Sequence, residues 1–195
     1  MQLVFATHNE HKLRELQDIL GCKTELLSLN DLNINEEIEE TGCTLKENAL
    51  IKAQFVYRRF RKDVFADDTG LEIDALNGEP GVFSARYAGD DKNAVKNMQK
   101  VINLMAGAKN RKARFKTVIA LIVEGREYFF EGIVNGKILD APAGNCGFGY
   151  DPVFMPDGYP CTFAQMDSET KNSISHRGKA VRQLIDFINK LPVQS

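Results

Sequence analysis

Two adjacent carboxylates, Asp67 and Asp68, stand directly after the apolar run Val64-Phe65-Ala66 and before Thr69-Gly70. Like charges side by side raise one another's pKa unless a cation compensates. Mg²⁺ takes one or two carboxylates and fills its other positions with water and phosphate oxygens. The pair therefore points to metal-assisted phosphate chemistry, weighed against the plainer reading of a charged turn closing a strand. Neighbouring side chains in an extended chain point to opposite faces, so one of the two faces the reaction. The acidic run Glu36-Glu37-Ile38-Glu39-Glu40 is for the most part a solvated face. One of Glu39 or Glu40 can bring a second carboxylate to the metal.

Three further groups could serve a phosphorylated ligand. Thr7-His8-Asn9 joins an apolar run to a helical pattern, with Glu10, His11 and Lys12 in the first turn. A helix N-terminus offers free amides and positive potential, and Lys12 adds a full charge. The glycines of a Walker loop are missing, so an ordinary capped helix with a solvated lysine is the competing reading. Gly147-Phe148-Gly149-Tyr150-Asp151 combines glycines that allow close backbone approach with aromatic rings able to stack on a base. A turn around a buried Phe148 would look the same. Lys171 and Ser175-His176-Arg177 form a cationic group just before the last helical pattern, suited to a phosphate or the rim of a base. Lys52, inside another helix, is a candidate phosphate contact that resembles any exposed helix lysine.

Those residues need elements to hold them. Leu3 to Ala6 reads as a short buried strand. Leu13, Leu16 and Leu20 recur at helical spacing, with Gly21 placed to end that helix. Glu25 to Leu29 is a strand, and 30 to 42 an acidic loop or arm. Thr44-Leu45-Lys46-Glu47 fits a capping box, opening a helix whose apolar face is Leu45, Ala49, Ala53, Val56 and Phe60. Val64 to Ala66 is a strand that Leu71 to Ile73 extends or resumes. Asn77 to Asp91 reads as a long loop. Val95, Met98, Ile102 and Met105 mark a third helix, followed by Gly107. Phe115 to Val123 and Tyr128 to Val134 flank Glu124-Gly125-Arg126, a hairpin signal. A glycine-dense loop covers 141 to 152, and Val181, Leu184, Ile185 and Ile188 define a last helix. Strands mixed with helices and an antiparallel hairpin give the α/β class with a mixed sheet.

The bulk numbers bound the partners. A chain of 195 residues with 43% hydrophobic and 27% charged residues reads as one domain over 1–195 with a full core. A net charge of -2, without a basic stripe, argues against nucleic-acid and membrane-surface roles. The longest apolar run, Val118 to Val123, is far below a membrane span, and the N-terminus lacks a signal-peptide pattern. Cys22, Cys43, Cys146 and Cys161 lack zinc or redox spacing and read as reduced thiols of a cytoplasmic protein.

Taken in order, Phe5-Ala6-Thr7-His8-Asn9-Glu10-His11-Lys12, Glu39-Glu40-Thr41-Gly42, Glu47-Asn48-Ala49, Ala66-Asp67-Asp68-Thr69-Gly70-Leu71, Pro80-Gly81 with Ser84-Ala85-Arg86-Tyr87, Gly147-Phe148-Gly149-Tyr150-Asp151-Pro152 and Ser175-His176-Arg177-Gly178 resemble the inosine triphosphate pyrophosphatase family. The resemblance runs from residue 3 to about 188. It implies Mg²⁺-dependent hydrolysis of ITP, dITP and XTP to the monophosphate and pyrophosphate. It also implies a homodimer, and an elongated mixed β-sheet flanked by helices, in two lobes with a central cleft. By the resemblance, Thr7, His8, Asn9, Glu10, His11 and Lys12 hold the triphosphate, and Asp68 is the catalytic carboxylate and a metal ligand with Glu39. Thr69 contacts substrate, while Phe148, Gly149, Tyr150, Asp151, Lys171, His176 and Arg177 line the nucleoside pocket. His8 stands where many members carry Gly, and Thr69 where many carry Ser.

The expected reaction is in-line attack of water at the α-phosphorus, which depends on positioning and charge neutralisation. A 6-oxo purine presents an acceptor and an N1–H donor, whereas adenine presents the reverse, so donors from Lys171, His176 or Arg177 can exclude ATP. Two alternatives stay open: a pyrophosphatase acting on other modified bases, and a nucleotide-binding module without turnover. The second gains little from a carboxylate aimed at a triphosphate.

Overall fold

The computed structural model describes residues 2–20 and 25–191. The elements are β1 (Gln2–Phe5), α1 (Glu10–Leu20), β2 (Glu25–Ser28), α2 (Leu45–Phe60), β3 (Val64–Ile73), β4 (Pro80–Gly81), α3 (Ala94–Leu104), β5 (Lys112–Val123), β6 (Arg126–Ile138), β7 (Phe154–Pro156), α4 (Ser168–Ile174) and α5 (His176–Ile188). The strands form a seven-stranded sheet in the order β2-β1-β3-β5-β6-β7, with β4 paired to β3. Strand β1 runs parallel to β2 and β3, whereas β4 and β7 are antiparallel to their neighbours, so the sheet is mixed as expected. The chain divides into two compact units, Met1–Asp68 with Thr117–Gly132 and Arg177–Ser195, and Thr69–Lys116 with Ile133–His176.

In the first unit the period-2 alternation of short strands decides which helix lies on which face. Leu3, Phe5, Phe65, Ile119 and Leu121 pack with Leu16 of α1 and Ala180, Val181 and Leu184 of α5. Their neighbours Val4, Ala6, Val64, Ala66, Ala120 and Ile122 pack with Ala49, Ala53 and Val56 of α2. Helices therefore cover both faces. Phe5 and Phe65 sit opposite each other in the parallel ladder and stack at 4.6 Å. The 30–42 segment is a loop, but Ile34 within it is fully buried in the α2-side core. Thr44 caps α2 as its sequence foretold: its hydroxyl accepts from Glu47 N (3.1 Å), and Glu47 Oε2 accepts from Thr44 N (3.0 Å). The Glu124-Gly125 turn between β5 and β6 has positive φ at both residues, as a two-residue primed hairpin turn requires. Gly21 and Cys22 lie outside the described residues.

The second unit packs around Leu71, Val101, Met105, Phe115, Ile138, Phe154 and Phe163. Three expectations change here. The stretch from 77 to 91 is not a plain loop, because it contains β4 and a 3-10 turn at Ser84–Arg86. Val95 is 69% exposed, and α3 instead buries Asn97 and Val101. Asn97 is the substitute because its side chain satisfies backbone, accepting from Ala88 N and donating to Ala85 O. The short elements β7 and α4, at three and seven residues, carry too few periods to register in the sequence.

Candidate active site

β3 is one continuous ten-residue strand, so Asp67 and Asp68 lie inside it rather than at its end. The apolar pattern breaks at the carboxylates although the strand continues, because charged residues rarely sit in a buried strand. Both are buried, at 2% and 7% exposure. The pleat then separates them. Asp67 shares the face of Phe65, toward α1 and α5, and Asp68 shares the face of Ala66, toward α2.

On the first face, Lys12 Nζ of α1 donates to Asp67 Oδ1 at 2.9 Å. Arg177 Nε of α5 donates to Asp67 Oδ2 at 3.3 Å, and Arg177 Nη1 to Glu15 Oε2 at 2.5 Å. Lys12 and Glu15 both stand on α1, so the chain of ion pairs Lys12–Asp67–Arg177–Glu15 begins and ends on that helix and spans α1, β3 and α5. Burial alone would push the Asp67 carboxyl up, but Lys12, Arg177 and Lys52 outweigh it and hold it well below the usual carboxylate range. Lys12 is itself pushed down, first by burial and then by repulsion from Lys52 and Arg177, against the pull of Asp67. The two partners thus shift in ways a simple pair would not. One carboxylate shared by two cations stays ionised.

On the second face, Lys52 Nζ of α2 donates to Glu40 Oε1 at 2.5 Å and lies 3.7 Å from Asp68 Oδ1. Burial raises the Asp68 carboxyl, helped by the charges of Glu40 and Asp67 and opposed by Lys52 and Lys12. Lys52 is raised despite its burial, by Asp68 and Glu40. One face of β3 therefore carries a carboxyl held below its ordinary pKa by cations, and the other a carboxyl raised above it by burial. Across both faces the described ion pairs join Glu15, Glu40, Asp67 and Asp68 to Lys12, Lys52 and Arg177.

The Thr7–Lys12 segment differs from its expected form. Three of its amides are already taken: Asn9 Oδ1 accepts from His11 N (3.0 Å) and Lys12 N (3.1 Å), and Thr7 Oγ1 accepts from Asn9 N (3.1 Å). Asn9 acts as the helix cap. His8 and His11 are exposed, with His8 Nε2 against Glu36 O at 3.1 Å, and Glu10 pairs with Arg14. Of this segment the buried cation network takes in Lys12. Glu39 is exposed, whereas Glu40 is the carboxylate brought to Lys52. Among the described residues no three His, Cys, Asp or Glu side chains converge as a metal-ligand group.

The second unit holds the remaining candidates. Asp151 Oδ2 accepts from Lys171 Nζ (2.7 Å) and from Phe148 N (2.8 Å), so one buried carboxylate fixes both the lysine and the aromatic loop. Lys171 lies 5.1 Å from the Phe148 ring centroid. Gly147 has φ +74, and a Cβ there would strike the Asp151 carboxylate, so glycine is required. Tyr150 is buried and its hydroxyl donates to Ser84 O at 2.8 Å, while Gly149 and Thr69 are half-buried. Lys171 is in α4, and His176 and Arg177 are the first residues of α5 rather than a loop before it. His176 is buried and stacks on Phe115 at 4.5 Å. Arg177 belongs to the first unit with Asp67 and Glu15. Sequence reading missed Glu15, Glu40's pairing and the role of Asp67; helical spacing from Lys12 was the one available signal for Glu15.

A family model described as the Ham1 family matches residues 3–187. The chain is 52% identical over 188 residues to a dITP/XTP pyrophosphatase of Flavobacterium johnsoniae, covering 96% of this chain and 98% of that one. It is 50% identical to one of Porphyromonas gingivalis, covering 96% and 97%. Among solved structures it resembles the Staphylococcus aureus Ham1 protein, with TM-score 0.88, 37% identity and coverage of 97% and 98%. It also resembles a HAM1 protein from Coxiella burnetii, with TM-score 0.89, 38% identity and coverage of 98% and 100%.

Proposed function

The chain belongs to the Ham1 family, and on that premise we propose that it hydrolyses the non-standard purine nucleoside triphosphates dITP, XTP and ITP to the monophosphate and pyrophosphate. The observation that carries this reading is the division of labour on β3. Asp67 anchors Lys12 and Arg177, while Asp68, raised by burial, stands with Glu40 beside Lys52. A buried carboxylate of raised pKa is a fitting proton acceptor for the attacking water. Lys12 and Lys52 supply positive potential to the phosphates. Lys171, steadied by Asp151, and the Phe148 ring suit a purine with a 6-oxo acceptor.

The reading includes Mg²⁺. A triphosphate brings its own negative charge to the carboxylates Asp68 and Glu40, so it needs positive charge beside Lys52. Asp68 with a glutamate of the 39–40 pair, Glu40 by its place against Lys52, would hold the ion, and two carboxylates suit Mg²⁺. When bound it offsets the charge of the leaving pyrophosphate. A homodimer in the cytoplasm completes the proposal; no described helix is long and apolar enough to cross a membrane.

The test is product analysis with ITP, dITP, XTP, ATP, GTP and dUTP in the presence of Mg²⁺. Pyrophosphate from the first three is expected. Orthophosphate as sole product would refute cleavage between the α- and β-phosphates, and equal rates on ATP and ITP would refute the base preference.

A further inference from the structure

Asn48 is completely buried on α2, on the helix face that otherwise presents Leu45, Ala49, Ala53 and Val56 to the core. Its Oδ1 accepts from Gly42 N at 2.8 Å, while its Nδ2 has no hydrogen-bond partner among the described residues. A buried amide satisfied on one side lowers stability relative to an apolar residue of similar shape. Its value must come from what the satisfied side holds.

That side holds the loop bearing Glu40. Gly42 lies so close to α2 that a Cβ would come within 2.6 Å of Glu47 Cβ and 2.7 Å of Asn48 Oδ1. Glu47 Oε2 continues the clamp, accepting from Cys43 N (2.7 Å) and Thr44 N (3.0 Å). Three consecutive backbone amides are thus tied to the first turn of one helix. Two residues upstream, Glu40 meets Lys52, which is one helical turn beyond Asn48 on the same helix face. Helix α2 therefore carries both the anchor of the loop and the cation against which its carboxylate is measured.

We propose that Asn48 is a positioning residue for the reaction, holding the Gly42 end of the loop so that Glu40 is set against Lys52 and Asp68. This rests on the reading of Glu40 and Asp68 as members of the reacting centre. Asn48 acts through the loop backbone, by way of the Gly42 amide.

A misplacement of about 1 Å in a positioning device can cost on the order of 10²-fold in rate. Asn48→Ala is therefore expected to lower kcat by about 10- to 100-fold while KM moves little. In the same variant the amides of residues 40–44 should exchange hydrogen faster without substrate or metal, with the rest of α2 still protected. The decisive measurement is a double-mutant cycle with Glu40→Gln. If Asn48 acts through Glu40, the double variant loses little more than Glu40→Gln alone; losses that multiply would overturn the proposal. Gly42→Ala attacks the same contact from the loop side, so the cycle can be run with it if Asn48→Ala does not fold. An Asn48→Ala enzyme with unchanged kcat beside a crippled Glu40→Gln overturns this inference alone. An unaffected Glu40→Gln overturns the reading of Glu40 beneath it.

Discussion

Asp67 and Asp68 are neighbours in sequence and both buried, yet neutralising them should have unequal consequences for stability. In Asp67→Asn the carboxylate shared by Lys12 and Arg177 disappears, leaving two buried cations. Removing one partner of a buried pair costs about 3–5 kcal/mol. Arg177 keeps Glu15 at 2.5 Å and the amide oxygen keeps one acceptor, so the lower end, about 3 kcal/mol, is expected. For a chain of this size that is a fall in Tm of roughly 6–12 °C. In Asp68→Asn the group removed is one whose ionised form the fold disfavours, chiefly through burial. Lys52 keeps Glu40 at 2.5 Å, so the change should stay within about 1 kcal/mol and can be a gain. Turnover should be lost all the same. Urea unfolding of both variants at neutral pH in EDTA, with activity measured in parallel, makes the comparison. Equal losses of stability, or a larger loss for Asp68→Asn, would refute the assignment of the two carboxylates to different electrostatic roles.

Three other outcomes are expected. Because the folded Asp67 carboxyl lies below its ordinary 3.8, its stabilising share is complete above that pH and is lost as pH falls through and below it. The stability gap between wild type and Asp67→Asn should therefore shrink on acidification below pH 3.8, as urea melts at a series of pH values would report. With the Asp68 carboxyl raised, Mg²⁺ binding should release more protons as the pH is lowered and should raise Tm, and Asp68→Asn should show neither effect. Calorimetry in two buffers of different ionisation enthalpy checks this. Gly147→Ala should displace the Asp151 carboxylate from Lys171 and Phe148, raising KM for XTP about tenfold, or ~1.4 kcal/mol, with kcat retained in steady-state kinetics.

The candidate residues for chemistry are legible in the chain because residue type and local spacing carry that information. The Thr44–Glu47 box, the apolar faces of α1 and α2, and the turn at Glu124-Gly125 are local devices, and the structure keeps them. Alternation along a strand even foretold that Asp67 and Asp68 face opposite ways. What no local pattern contains is which distant group each carboxylate meets. Asp67 finds Lys12 and Arg177, 55 and 110 residues away, and Asp68 finds Lys52 and Glu40. The same distance hid why Asn9 closes the amides that seemed open and why Arg177 joins the Asp67 network. The sequence by itself determined the set of charges and the class of reaction. The tertiary structure decided which carboxyl is pulled down by cations and which is pushed up by burial, because a buried group's pKa follows from burial and neighbours that only folding assembles.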